Sequence, residues 1–114
     1  MRAKTWPKTW LPLPVAALAA GLLGAGPADD RRLALGRHLA QECTTCHRID
    51  GTDNGIPSIV GQDPAHFTET IGFYKSGART NQVMVSVAQS LDDQQVAALA
   101  AYYASLPKAG KKVP

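Results

Sequence analysis

An all-α fold with three main helices and long loops is what this 114-residue sequence predicts. Three observations carry the expectation. Apolar residues recur at spacings of three and four in three separate stretches, the period of a helix with one buried face. Residues that start or stop helices stand at the ends of those stretches. No alternation of apolar and polar residues, the mark of a half-buried strand, runs for a useful length.

The first helix is expected from about Asp30 to Gln41. Asp29 and Asp30 stand at its start, placed for capping and for the positive end of the helix dipole. Leu33, Gly36, Leu39 and Ala40 share a face. A glycine there costs about 1 kcal/mol of helix propensity, so Gly36 suggests close approach by another element. A loop full of turn residues follows, "DGTDNGIPSIVGQ". The second helix should open at Asp63, with Pro64 suited to the first helical position. Phe67, Ile71 and Tyr74 form its apolar stripe, and Gly77 lies where a left-handed C-terminal cap belongs. In the last helix Asp92 can cap, Gln95 completes a capping box, and Leu91 and Val96 are placed as a hydrophobic staple. Val96, Leu99, Tyr103 and Leu106 continue at helical spacing, flanked by Ala100 and Tyr102, and Pro107 marks the end.

The N-terminal residues address compartment. Arg2, Lys4 and Lys8 make a basic start, an apolar run follows with its best stretch at Val15–Leu23, and small residues precede Asp29 and Asp30. Basic, apolar, small, polar is the layout of a secretory signal peptide. A membrane anchor would need about 20 apolar residues, and Pro12 and Pro14 break the start of this run. The expected division is a signal peptide at 1–28, cleaved after Ala28 or nearby, one domain at 29–107, and a polar tail at 108–114. Removal of 1–28 takes three bases and leaves nine Lys and Arg against nine Asp and Glu. No basic patch for phosphate binding remains, which excludes a nucleic-acid partner. No stable membrane insertion is expected either. A domain this short usually needs a disulfide, metal or cofactor to complete its core.

Both cysteines of the chain lie in "ECTTCHRID", three residues apart with a histidine directly after. A thioredoxin-like dithiol would need a βαβ unit around it, and strands are missing from the expected fold. A structural zinc site needs four ligands; Cys43, Cys46 and His47 give three, with no second cluster at ligand spacing. A plain disulfide suits an exported protein but gives His47 no role. The remaining reading is C-x-x-C-H as a c-type haem attachment site. Two thiols three residues apart on a helical turn face the same way, so both can form thioethers to the haem vinyl groups, and His47 follows as the proximal ligand. One covalent haem c, held by Cys43, Cys46 and His47, is the expected cofactor.

The second axial position decides the chemistry. Met/His ligation suits electron transfer, and an open position suits gas binding or peroxide chemistry. With Met1 removed, Met84 is the remaining methionine, 37 residues beyond His47. It is the expected sixth ligand and second metal-binding residue; its bland alternative is a core methionine filling a gap. His38 is too near Cys43 to reach the opposite face, and His66 reads as a solvated residue. A ligating histidine usually donates its other ring N–H to a carbonyl; Pro57 can present one, or be an ordinary turn proline. Arg79, Asn81 and Tyr74 are candidates for the haem propionates, or are simply solvated.

From "LALGRHLAQECTTCH" through "IPSIVGQ" and "YKSGART" to "VMVSVAQSLDDQQVAALAAYYASLP" the chain resembles the small bacterial class I c-type cytochromes. The resemblance implies that fold: first and last helices crossing at right angles, Gly36 against Tyr102 or Tyr103, Pro57 toward the histidine, Met84 toward iron. Many relatives carry a proline just before the methionine, where this chain has Val83. Within the family the texture is most similar to the cytochrome subunit of flavocytochrome c sulfide dehydrogenase. That implies a periplasmic electron-transfer protein rather than an enzyme, with redox protein partners including a flavoprotein subunit, in sulfur oxidation. The alternatives are a free-standing periplasmic electron shuttle and a haem enzyme such as a peroxidase, against which Met84 argues by occupying the site substrate would need.

Overall fold

The structure, a computed structural model, describes residues 2–5, 12 and 26–108. The apolar run at Val15–Leu23 and the tail beyond Lys108 lie outside the described residues. Four helices follow in chain order: α1 (Pro27–Cys43), α2 (Pro64–Ser76), α3 (Gln82–Gln89) and α4 (Asp93–Ser105). No strand occurs among the described residues.

Helix α1 is longer at both ends than its apolar pattern suggests. It starts at Pro27, whose fixed φ suits the first helical position, and the Gly26 N–H donates to Asp29 Oδ2 at 3.3 Å. The two aspartates therefore sit inside the first turn instead of preceding it. Pro27 and Ala28, on the leader side of the expected boundary, are helical. At the other end the helix reaches Cys43, and the Thr44 N–H donates back to the Ala40 carbonyl at 2.9 Å.

Helices α2 and α4 follow their signals closely. Asp63 accepts from the N–H groups of Ala65 and His66 at 3.0 and 3.1 Å, and Gly77 closes α2 at φ 80°. Asp92 Oδ1 accepts from Gln95 N–H at 2.8 Å, while Gln95 Oε1 accepts from Asp92 N–H at 2.9 Å. This is the reciprocal capping box. The structure adds α3, an eight-residue helix that contains Met84. Asn81 caps it, its side chain accepting from the Met84 N–H at 3.1 Å.

Helix α1 packs on α4, and α2 packs on both α4 and α3. The core collects Ala40 from α1, Phe67 and Ile71 from α2, Ala88 from α3, and Val96, Leu99, Ala100 and Tyr103 from α4, with Val60 from the loop. Gly36 marks where α1 crosses α4. A Cβ on Gly36 would stand 2.7 Å from Tyr102 Cβ and 2.8 Å from the Ala98 carbonyl carbon, and closer still to the Ala98 oxygen. Of the two tyrosines considered at the crossing, Tyr102 is the one in place. Ala98, whose carbonyl faces Gly36, is fully buried.

Candidate functional site

The motif residues take their positions from the end of α1. Past Cys43 the chain keeps turning, with Cys46 N–H donating to the Cys43 carbonyl at 3.2 Å and His47 N–H donating to the same oxygen at 2.8 Å. That turn carries both sulfurs and the imidazole to the wall of one cavity. Cys43 is half-buried and Cys46 exposed, and neither is in a disulfide. Burial pushes the Cys43 thiol up from its ordinary value. A disulfide-exchange nucleophile needs the opposite shift. Among the described residues no group of three or more His, Cys, Asp and Glu side chains is arranged to hold a metal ion.

His47 is oriented from the far side of the loop. Its Nδ1 lies 2.6 Å from the Pro57 carbonyl oxygen. A carbonyl only accepts, so Nδ1 is the donor, and in the neutral ring Nε2 keeps its lone pair. The loop between them is stiffened by its own contacts. Arg48 pairs with Asp50 at 2.6 Å, and Asp50 also accepts from Thr52 N–H and hydroxyl. The Arg48 guanidinium, then the two Thr52 donors, hold the Asp50 carboxyl well below the usual carboxylate range.

The cavity has a volume of about 610 Å³, within the ~300–1,000 Å³ range of cofactor sites. Leu39, Ile59, Phe67, Ile71 and Leu99 give it an apolar wall. Cys43, Cys46, His47 and Pro57 line it from the α1 end, and Met84 lines it from α3. The imidazole is brought in by the turn after α1 and the thioether by α3. Tyr74, Arg79 and Asn81 also line it. The Arg79 guanidinium lies over the Tyr74 ring, 5.5 Å from its centroid. All eight sequence-derived site residues therefore meet at one cavity.

Some features were not expected. Asn81 has a structural task as the α3 cap, made by Oδ1, and the residue lines the cavity as well. Val83 stands in the first turn of α3 and is 65% exposed. With Asn81 starting the helix, no proline is needed there. His66 is exposed, as read, yet its position at the start of α2 lines the cavity as well. His38 is exposed on α1 and does not.

Residues 33–107 match the family model for cytochrome c. The chain belongs to the cytochrome c family. Members of this family bind haem c covalently, and the site has the thiols, the imidazole and the apolar cavity which that group requires. The chain is 36% identical over 105 residues to the thiosulfate dehydrogenase electron acceptor of Thiomonas intermedia, covering 90% of this chain and 46% of that protein. It is 31% identical to the thiosulfate dehydrogenase electron acceptor of Stutzerimonas stutzeri, covering 82% of this chain and 47% of the relative. Cytochrome c-554(548) of Halomonas halodenitrificans is 32% identical over 77 residues, covering 63% of this chain and 93% of the relative. The chain thus spans about half the length of the first two relatives and nearly all of the third.

Proposed function

We propose that this cytochrome c domain carries one haem c, joined to Cys43 and Cys46, and works as a one-electron carrier outside the cytoplasm. Haem, when bound, supplies a one-electron iron couple. The observation that carries the assignment is the 2.6 Å contact from His47 Nδ1 to the Pro57 carbonyl. It fixes the tautomer, presents Nε2 to a metal, and strengthens that nitrogen as a ligand. Met84, on the cavity wall, would supply a second ligand to the iron. Tyr74, Arg79 and the Asn81 amide offer hydrogen-bond donors to the propionates.

None of these residues needs to make or break a bond, and their task is to hold a rigid, low-polarity pocket. If Met84 ligates the iron, it would leave no place for a peroxide or gas substrate; the relatives named as electron acceptors support a carrier over an enzyme. Export follows from the basic, apolar, small and polar order at the N-terminus. Among the described residues no helix is long and apolar enough to cross a membrane.

The partner we infer is a redox enzyme of sulfur oxidation. Support comes from the two relatives named as electron acceptors of thiosulfate dehydrogenase; neither name mentions a flavin, so the flavoprotein partner implied by resemblance gains nothing from them. With nine bases against nine acids after Ala28, long-range steering is weak, and the exposed Val83 and Ile56 at the cavity offer apolar contact instead. Stopped-flow mixing of the oxidised protein with a thiosulfate dehydrogenase plus thiosulfate should give rapid reduction that changes little with ionic strength. Reduction by a flavoprotein sulfide dehydrogenase plus sulfide, with none by thiosulfate dehydrogenase, would reassign the donor.

A further inference from the structure

Tyr103 is fully buried on α4. Its ring stacks on Phe67, centroids 5.9 Å apart, and meets the edge of Tyr102 at 5.5 Å. Its carbonyl is pinned by the Gly61 N–H at 2.8 Å. A ring held on two sides and at its backbone cannot swing its hydroxyl out to water. Among the described residues, this hydroxyl is the one buried side-chain oxygen or nitrogen without a hydrogen-bond partner. A phenylalanine would fill the same space without the cost of an unpaired buried polar group.

Cys43 is the reactive group packed against the same cluster. Helix α1 packs on α4, and Cys43, its last residue, packs against the cluster that contains Tyr103. The hydroxyl makes no hydrogen bond to that sulfur or to any other described group. A thiol is both weak donor and weak acceptor, whereas a thioether only accepts. Attachment of haem would therefore leave one possible direction for the contact, from O–H to sulfur.

We infer that Tyr103 is a positioning residue for the cofactor: its hydroxyl donates to the Cys43 sulfur in the attached state, fixing that linkage and drawing electron density away from the macrocycle. Burial, and then the neighbouring Cys43, push the Tyr103 hydroxyl up from its ordinary value, so it keeps its proton at any working pH. Hydrogen bonds around a haem and the dielectric of its pocket are recognised levers on its potential. A donor near the ring stabilises the reduced form.

The inference rests on haem attachment at Cys43, so covalent attachment is first verified in the wild-type holoprotein and in each variant by whether acid–acetone leaves the colour on the chain. Loss of colour from wild type would refute the attachment reading itself. With attachment established, Tyr103→Phe and Tyr102→Phe holoproteins are compared by resonance Raman spectroscopy, redox titration and denaturant melting. Tyr103→Phe should shift the carbon–sulfur stretching mode, move the oxidised-to-reduced equilibrium several-fold toward oxidised, and lower the denaturation midpoint. Tyr102→Phe should leave the carbon–sulfur mode and the potential in place. A Tyr103→Phe protein with an unmoved carbon–sulfur mode overturns the proposal. A rising midpoint would then mean the hydroxyl stays unpaired, and a falling one that its partner is elsewhere.

Discussion

Met84→Ala should convert a low-spin protein that ignores added ligands into one that binds cyanide when oxidised and carbon monoxide when reduced. Met84 lines the cavity from α3, and His47 lines it from the turn after α1. Its backbone N–H is tied to Asn81 Oδ1 at 3.1 Å, which fixes the first turn of the helix and so the direction of the side chain. Alanine keeps that cap and the helix, so the fold should survive while the sulfur is lost. Met/His ligation raises the potential of haem relative to other ligand sets. The variant's oxidised-to-reduced equilibrium should therefore shift toward oxidised by more than about tenfold, ~59 mV for each factor of ten in a one-electron couple. The long-wavelength absorption of sulfur–iron ligation should vanish with it. His66→Asn, altering the other cavity-lining side chain able to ligate, should retain that absorption. If the wild-type protein is already high-spin, or if only His66→Asn removes the band, Met84 is not the ligand.

Gly36→Leu should depress both stability and holoprotein yield, and Gly36→Ala should do so to a smaller degree. Even alanine's single carbon would fall 2.7 Å from Tyr102 Cβ and 2.8 Å from the Ala98 carbonyl carbon. The Ala98 atoms are backbone, which no rotamer change can clear. The helices would have to move apart along the contact that joins α1 to α4. Replacing a mid-helix glycine returns about 1 kcal/mol in propensity, but overpacking costs typically ~1–3 kcal/mol and occasionally more. The steric term should win for alanine and dominate for leucine. Against a total stability of ~5–15 kcal/mol for a typical domain, that loss would show as a lower denaturation midpoint. Because Cys43 is the last residue of α1, displacing α1 also displaces the sulfur that must meet its cofactor. An unchanged midpoint and unchanged holoprotein yield in Gly36→Leu would contradict the crossing.

Where the fold was legible, a local signal and the tertiary contact agreed. Asp63 with Pro64 opens α2, Gly77 closes it, and the Asp92–Gln95 box opens α4, since each acts through hydrogen bonds or φ values within a few residues. Gly36 was legible for the opposite reason: it opposes local propensity, and the crossing supplies the compensation. Helix α3 was harder. Its signal was present, in Asn81 followed by Val83, Met84, Val87 and Ala88 at helical spacing, but eight residues give barely two turns, and isolated helices that short are marginal in water. Packing against α2 makes it stable. The start of α1 was missed because Asp29 and Asp30 can serve either as caps or as first-turn acids, and Pro27 favours the second.

At the site, "CTTCH" carried its chemistry in spacing alone. The partnership of His47 with Pro57 spans ten residues and depends on how the loop folds back, so only the residue types were readable. The second task of Asn81, and the unpaired hydroxyl of Tyr103, could not be read from sequence. Each depends on a partner's direction, which no pattern of residue types encodes.

The central claim, that Cys43 and Cys46 hold one haem, is tested most directly by acid–acetone extraction of the purified protein, followed by mass spectrometry of the intact chain and its peptides. The colour should stay with the polypeptide, the mass should rise by one haem, and the added mass should map to the peptide containing both cysteines. Pigment released into the acetone, or a chain with no added mass on that peptide, would contradict it.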